Sequence, residues 1–250
     1  MATLAVAVLG ASGRMGQQTC AAIEATDDLT LVARIDRDGS PSAAKDAGAE
    51  VVVDFTEPGS VLHNLRAVVE LGMHAVVGTS GFNAERLTVV EELTRSHPSV
   101  GVVIAPNFAI GAALLMRFAR EAAPHFESVE IVELHHPDKV DAPSGTAVHT
   151  AEEIAAARAA AGLAKAPDAT TREVPGARGA SVSGVPVHAV RLRGLVAHEE
   201  VLFGSAGEIL TLRHDSLDRA AFMPGVLLAI REVPSRPGLT VGLEPLLGLT

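Results

Sequence analysis

Short apolar segments that alternate with helical segments constrain the fold of this chain more than any other feature. The first, Leu4–Leu9, reads LAVAVL and ends at Gly10, a pattern typical of a strand buried on both faces. Helical periodicity separates it from later apolar segments, which are Leu29–Asp36, Val51–Phe55, His74–Gly78 and Val100–Ala105. Strands that alternate with helices join through right-handed crossovers and form a parallel sheet. The sequence therefore predicts an α/β domain at the start of the chain.

The pattern changes midway along the chain. A strand at Val129–His135 lies between two helical segments, and a last helix is predicted at Asp218–Glu232. Residues 163–186 show no clear periodicity and are expected to form a loop. Three strand-like segments follow this loop, at Val187–Leu192, Val196–Phe203 and Glu208–Arg213. Consecutive strands joined by tight glycine turns indicate an antiparallel or mixed sheet, so we expect a second domain of the α+β class.

Composition excludes several classes of function. The 250 residues are 48% hydrophobic, which supports a sizeable core. A net charge of −10 disfavours binding to nucleic acid, and the absence of Tyr and Trp removes a base-stacking platform. A single cysteine excludes a disulfide framework and a Cys-rich metal site. With no basic leader and no long apolar run, we expect a cytoplasmic enzyme-like protein with no membrane partner.

A glycine-rich turn follows the first predicted strand. Its residues are Gly10, Ala11, Ser12, Gly13, Arg14, Met15 and Gly16. Glycines let the chain turn sharply and let a pyrophosphate approach the backbone, at the positive end of the following helix. The G-x-x-G-x-x-G spacing differs from the usual G-x-G-x-x-G, but the turn lies between a strand and a helix, where a dinucleotide-binding turn belongs. An ordinary tight turn is the alternative.

Asp36 ends the second predicted strand, where a carboxylate can accept hydrogen bonds from a ribose. It favours NADH, because a 2′-phosphate would meet a like charge. Arg37 and Arg14 could neutralise that phosphate, or they could be solvated surface charges. The choice between NADH and NADPH stays open.

Two further strand ends should border the same crevice, because ligands of open α/β sheets bind at the carboxyl ends of the strands. These candidate cofactor-binding residues are Gly78, Thr79, Ser80, Ala105, Pro106, Asn107 and Phe108. The alternative is that these loops were selected for turn chemistry alone.

The segment ELHHPDKVDAPSGTA, residues 133–147, carries a second constellation of polar side chains. It holds His135, His136 and Lys139, and Ser144 is a good N-cap for a helix that begins near Gly145 and Thr146. The first amides of that helix can bind a carboxylate, and the neighbouring side chains can transfer protons. A metal site is disfavoured, because adjacent histidines on a strand point to opposite faces. A structural histidine in a surface loop is the remaining alternative.

Five motifs in this order, GASGRMG, VVDFTEP, VVGTSGF, APNFAIG and ELHHPDKVDAPSGTA, resemble the dihydrodipicolinate reductase family of lysine and diaminopimelate biosynthesis. The resemblance implies a Rossmann-type dinucleotide-binding domain formed by residues 1–107 and 218–250. It implies a substrate-binding and tetramerisation domain at 108–217, and a homotetramer. Ser12 departs from the pattern, since some relatives have glycine there.

The resemblance also implies roles for the candidate residues. His135 would be the proton donor and acceptor and Lys139 a proton donor, while His136, Gly145 and Thr146 would hold a small dicarboxylate substrate. The glycine turn, Asp36, Arg37 and the two later strand ends would hold NADH or NADPH. The implied reaction is the reduction of 4-hydroxy-tetrahydrodipicolinate with loss of water, without a metal. The alternatives are another Rossmann oxidoreductase that acts on an amino-acid-derived carbonyl, and a non-catalytic NAD(H)-sensing protein.

Overall fold

The computed structural model describes residues 3–79 and 81–248. The strands are β1 (Leu4–Leu9), β2 (Leu29–Ile35), β3 (Val51–Asp54), β4 (His74–Val77), β5 (Gly101–Ile104), β6 (Ser128–His135), β7 (Ala180–Val182), β8 (Val185–Arg191), β9 (Ala197–Ser205), β10 (Glu208–Ser216) and β11 (Gly238–Val241). The helices are α1 (Arg14–Glu24), α2 (Pro41–Asp46), α3 (Val61–Glu70), α4 (Ala84–Ser96), α5 (Ile110–Ala122), α6 (Gly145–Ala160) and α7 (Met223–Glu232).

The chain divides into two compact units. One comprises the residues up to Ile110 together with those from Phe222 on, and the other is Gly111–Ala221. The functional domain limits predicted from the sequence, at residues 107 and 218, stay predictions.

Among the described residues, no helix is long and apolar enough to cross a membrane.

The first unit holds a parallel sheet with the strand order β11-β5-β4-β3-β1-β2, which confirms the predicted α/β class. Strands β3 and β5 are buried along their whole length, as expected where helices cover both faces of a sheet. Leu9, Asp54, Val77 and Ile104 are neighbours in register at the carboxyl ends of β1, β3, β4 and β5. The segments that follow these strands therefore begin side by side at one edge of the sheet.

Several short elements escape prediction from the sequence. Strand β11 has only four residues and lies between Pro237 and Gly242, so its local pattern is that of a loop. It forms because its backbone pairs with β5, a non-local interaction that leaves no periodic signal. Strand β7 lies within the region predicted as a loop, and it forms a tight hairpin with β8 in which Val182 pairs with Val185. Helix α2 was not predicted either.

The second unit holds a mixed sheet with the order β10-β9-β6-β8-β7. The β6–β8 pair is parallel and the other pairs are antiparallel, in agreement with the predicted mixed sheet. Ile131 of β6, Ile154 of α6 and Phe203 of β9 are fully buried in its core. Because β6 is the central strand, its last residues are held firmly at the end of the sheet.

The stability of the first unit should depend on the charge of His74. Gly101 N donates a hydrogen bond to His74 Nδ1 at 2.9 Å, which requires that nitrogen to be unprotonated. Burial lowers the pKa of His74, although Glu50 opposes the shift. As the pH falls, His74 therefore takes up a proton in the unfolded chain before it does so in the folded chain. The free energy of unfolding should then fall as the pH drops below about 6.5. Urea unfolding at several pH values should show a smaller fall for His74→Asn, which keeps an acceptor that does not titrate. An equal fall in both proteins would contradict this assignment.

Candidate active site

The glycine turn after β1 has a geometry that larger residues cannot adopt. Gly10 has φ of 74°, in the left-handed region, and its N–H donates to Ile35 O at 2.8 Å. A Cβ on Gly16 would lie 2.1 Å from Gly10 O, so helix α1 packs directly on the turn. Gly13 is the N-cap of α1 and has no side chain to cap it. Helix α1 therefore begins directly at the turn, and its first backbone amides suit a phosphate group.

Asp36 follows β2 and lies against this turn. Its Oδ1 accepts hydrogen bonds from Ser12 N at 2.9 Å and from Ser12 Oγ at 2.8 Å. A pocket adjoins both residues, lined by Ala11, Ser12, Gln17, Cys20, Ala21, Glu24, Arg34 and Asp36. The structure therefore brings the predicted phosphate turn and the predicted ribose carboxylate together.

Arg14 and Arg37 both lie at the protein surface. Arg37 Nη2 forms an ion pair with Glu57 Oε1 at 3.0 Å, and both side chains are largely exposed. An exposed pair of this kind contributes little to stability and can exchange partners. Arg37 is thus a cation that can turn towards a phosphate.

The ends of β4 and β5 meet the same edge of the sheet. A Cβ on Gly78 would lie 2.1 Å from the ring of Phe55, so this position must be glycine for the ring to pack there. Phe55 in turn makes an edge-to-face contact with Phe108, with ring centroids 6.0 Å apart.

Three of the other residues predicted at these strand ends, Thr79, Ala105 and Phe108, are buried, and Ser80 lies outside the described residues. Asn107 Oδ1 accepts a hydrogen bond from Ala109 N at 2.8 Å and so shapes the turn after Pro106.

Glu133 is the centre of the second constellation. Its side chain is fully buried, and it accepts hydrogen bonds at 2.8 Å from both terminal nitrogens of Arg191. Ser144 N donates to Oε1 at 2.9 Å. Burial raises the pKa of Glu133, but hydrogen bonds from His135 and Arg191 outweigh that effect and lower its pKa to about 2. The carboxyl group is therefore ionised throughout the neutral range.

His135 is oriented by this carboxylate. The two residues lie two positions apart on β6, which puts their side chains on the same face of the sheet. His135 Nδ1 lies 2.6 Å from Glu133 Oε2, and because a carboxylate only accepts, the ring nitrogen donates. Nε2 is then the ring atom with which His135 can exchange a proton with a ligand.

Lys139 and the start of α6 hold a carboxylate within the protein itself. Lys139 Nζ donates to Asp141 Oδ1 at 2.7 Å, and Gly145 N donates to Asp141 Oδ2 at 3.3 Å. Ser144 caps α6 as predicted, since its Oγ accepts a hydrogen bond from Ala147 N at 3.2 Å. The ammonium group and the helix amide therefore converge on one anion, in a segment that also contains His136 and Thr146.

Sequence reasoning missed three of these residues. Glu133 had a usable signal, because a carboxylate two residues before a histidine on a strand shares its face. Arg191 had no such signal, because it meets Glu133 only through the pairing of β8 with β6. Asp141 was part of the recognised motif but received no role.

Among residues 3–79 and 81–248, no three His, Cys, Asp or Glu side chains lie close enough together to hold a metal ion.

Comparison with known proteins gives consistent matches over both units. The family model described as dihydrodipicolinate reductase, N-terminus, matches residues 4–108, and the one described as its C-terminus matches residues 111–247. The 4-hydroxy-tetrahydrodipicolinate reductase of Nocardia farcinica is 60% identical over 247 residues, 99% of this chain and 100% of the relative. The enzyme of the same name from Mycobacterium marinum is 59% identical over 244 residues, 98% of this chain and 99% of the relative.

A solved structure also resembles the whole chain. It is the dipicolinate-bound dihydrodipicolinate reductase from Paenisporosarcina sp. TG-14, with a TM-score of 0.84 and 36% sequence identity. The match covers 97% of this chain and 99% of that one.

Glu199 of β9 is a buried carboxyl group next to the constellation. It lies opposite Glu133 in the register of the sheet and is only 6% exposed. Burial raises its pKa to about 7, a hydrogen bond with Thr150 opposes the shift, and the charge of Glu133 adds to it. A protonated Glu199 spares the sheet a second buried negative charge beside Glu133.

We expect Glu199 to make the protein less stable as the pH rises from about 4.5 to 7. In this range the unfolded chain releases the proton and the folded chain retains it. The stability gain of Glu199→Gln over the wild type should therefore grow with pH, by up to about 3 kcal/mol near pH 8 relative to pH 4.5. Urea unfolding at a series of pH values measures this gain, with Glu208→Gln on the exposed surface as the control. Identical pH dependence in the two variants would contradict a raised pKa at Glu199.

Proposed function

This chain belongs to the dihydrodipicolinate reductase family, and from that membership we infer that it is a 4-hydroxy-tetrahydrodipicolinate reductase, an oxidoreductase of lysine and diaminopimelate biosynthesis. The family membership confirms the resemblance seen in the five sequence motifs. One observation carries the chemistry: a buried carboxylate orients His135, while Lys139 and the amide of Gly145 together hold a carboxylate.

We propose that the first unit binds the pyridine nucleotide coenzyme. The turn from Gly10 to Gly16 suits the pyrophosphate, and Asp36 suits the adenosine ribose. Ser12 occupies Oδ1 of Asp36, so Oδ2 can accept a hydrogen bond from a ribose hydroxyl. The other residues assigned to this site are Arg14, Met15, Arg37, Gly78, Thr79, Ser80, Ala105, Pro106, Asn107 and Phe108. When bound, NADH or NADPH supplies a hydride to the substrate ring.

The second unit is proposed to bind the dicarboxylate substrate. Asp141 shows that Lys139 Nζ and Gly145 N lie close enough to grip one carboxylate. We assign a substrate carboxylate to His136, Gly145 and Thr146, where it would displace Asp141 from Gly145 N, and we keep Lys139 as a proton donor. Dipicolinate, bound in the Paenisporosarcina relative, is a small ring dicarboxylate of this kind.

The proposed reaction removes the 4-hydroxyl group of the substrate as water and reduces the conjugated ring at C4. Negative charge then develops towards C3 and the ring nitrogen, and a proton must be added. His135 is suited to give that proton through Nε2, because Glu133 holds Nδ1 and fixes the orientation of the ring. Lys139 is a second proton donor, and its ammonium group stabilises the developing charge.

We also propose that the enzyme is a cytoplasmic homotetramer, as the family resemblance implies, and that it acts on a small molecule without nucleic-acid or membrane partners. Light scattering of the purified protein tests the oligomeric state.

Replacing the proton donors should slow the reaction without affecting the coenzyme. We expect His135→Ala to lower kcat by about 10²–10⁴-fold, the usual contribution of a general acid, and Lys139→Ala to lower it as well. The Kd for NADH should stay within about twofold of the wild type, because both residues belong to the second unit. Steady-state kinetics on enzymatically generated substrate measures kcat, with His125→Ala on the exposed surface as the control. Unaltered turnover in His135→Ala would exclude the role assigned to it.

Coenzyme choice should depend on Arg37. If Arg37 leaves Glu57 to pair with a 2′-phosphate, Arg37→Ala should raise the KM for NADPH by several-fold to about tenfold and leave the KM for NADH unchanged. The control is Arg66→Ala, an exposed arginine of α3. Parallel changes with both coenzymes would show that Arg37 does not recognise the 2′-phosphate.

A further inference from the structure

Asp54 is a buried carboxyl group that the proposed mechanism does not use. It ends β3, the strand that lies between β1 and β4, and only 4% of its surface is exposed. In the register of the sheet it is the neighbour of both Leu9 and Val77. It therefore lies at the edge from which the glycine turn and the segment after β4 emerge.

Four hydrogen bonds hold the carboxylate of Asp54. Oδ1 accepts from Thr56 N at 2.8 Å, from Thr56 Oγ1 at 2.6 Å and from Thr79 Oγ1 at 3.1 Å. Oδ2 accepts from Asn64 Nδ2 at 3.1 Å. All four donors are neutral, so the carboxylate is stabilised by directed dipoles from three parts of the chain. These parts are the loop after β3, helix α3 and the end of β4.

The hydrogen bond from Thr79 determines what that residue can offer to a ligand. A hydroxyl has one proton, and in Thr79 it is directed towards Asp54. Thr79 is therefore left with its backbone groups and with an oxygen that only accepts. The position of its backbone, rather than a second donated hydrogen bond, is what the residue can contribute to coenzyme binding.

Neighbouring contacts show that the spacing between these loops is tightly limited. The ring of Phe55 packs on Gly78, where a Cβ would approach to 2.1 Å, and the carbonyl oxygen of Phe55 would lie 2.8 Å from a Cβ on Gly10. The loop after β3 is thus in direct contact with the residues after β1 and after β4. A change in the anchor of that loop would move both borders of the site.

We propose that Asp54 is a positioning residue for coenzyme binding: its carboxylate joins the loop after β3 to the end of β4 at the spacing that the nicotinamide nucleotide requires. This inference rests on the proposed function, since it takes the first unit to be the coenzyme site. Asp54 acts through Thr56 and Thr79 and contacts no reacting atom.

The test is fluorescence titration of NADH with the intact protein. The chain has no Tyr and no Trp, so the coenzyme signal is read against little protein fluorescence. Asp54→Asn and Thr79→Val each remove part of the network and should raise the Kd for NADH by about tenfold, because the loops that border the site would no longer be held at the spacing that binding requires. Thr79→Ser, which keeps the hydroxyl, should recover most of the affinity lost in Thr79→Val. Asp27→Asn, an exposed carboxylate of the same unit, is the matched control.

Two further measurements separate positioning from general stability. The Kd for dipicolinate, which we assign to the second unit, should be unchanged in every variant, and thermal unfolding reports any loss of stability. If Asp54→Asn does not fold, the comparison of Thr79→Val with Thr79→Ser decides the question. Affinity for NADH like that of the wild type, together with a lower Tm, would overturn the inference and leave Asp54 a structural residue. A wild-type protein that binds neither NADH nor NADPH would overturn the proposed function and this inference with it.

Discussion

The geometry of the candidate substrate site depends on one buried negative charge. Glu133 joins the central strand β6 to β8 through Arg191 and to the start of α6 through Ser144. Removing a carboxylate from water is costly, and here a bidentate guanidinium, an imidazole and a backbone amide offset that cost. The same interactions fix the ring of His135 and the first turn of α6. The orientation of His135, the proposed proton donor, and the position of the first amides of α6 are thus set by a single group.

Each unit places a carboxylate near the end of a central strand, but with different partners. Asp54 is surrounded by neutral donors, whereas Glu133 faces Arg191 and His135. Neutral donors give direction without adding charge, which suits a loop anchor. The guanidinium of Arg191 instead balances the charge of Glu133, beside the segment that we propose binds an anion. Such balance matters in a chain with a net charge of −10, which repels anions overall.

The sequence was sufficient for features with a local physical signal. Alternating apolar segments predicted the parallel sheet, the glycine spacing predicted the turn between β1 and α1, and Ser144 was recognised as an N-cap. What it lacked were interactions created by pairing at a distance. Strand β11 exists because β5 offers its edge, and Arg191 meets Glu133 because β8 lies beside β6. No periodicity in either segment encodes such a neighbour.

Ser12 has a consequence for how the adenosine end of a coenzyme would be received. Its amide and hydroxyl both restrain Asp36 before a ligand is present. A carboxylate already confined to one rotamer loses less conformational entropy on association, a saving on the order of 0.5–1.5 kcal/mol for a side chain. The Ser12 hydroxyl thus helps to turn a surface acid into a preorganised acceptor, beside the turn that we propose binds the pyrophosphate.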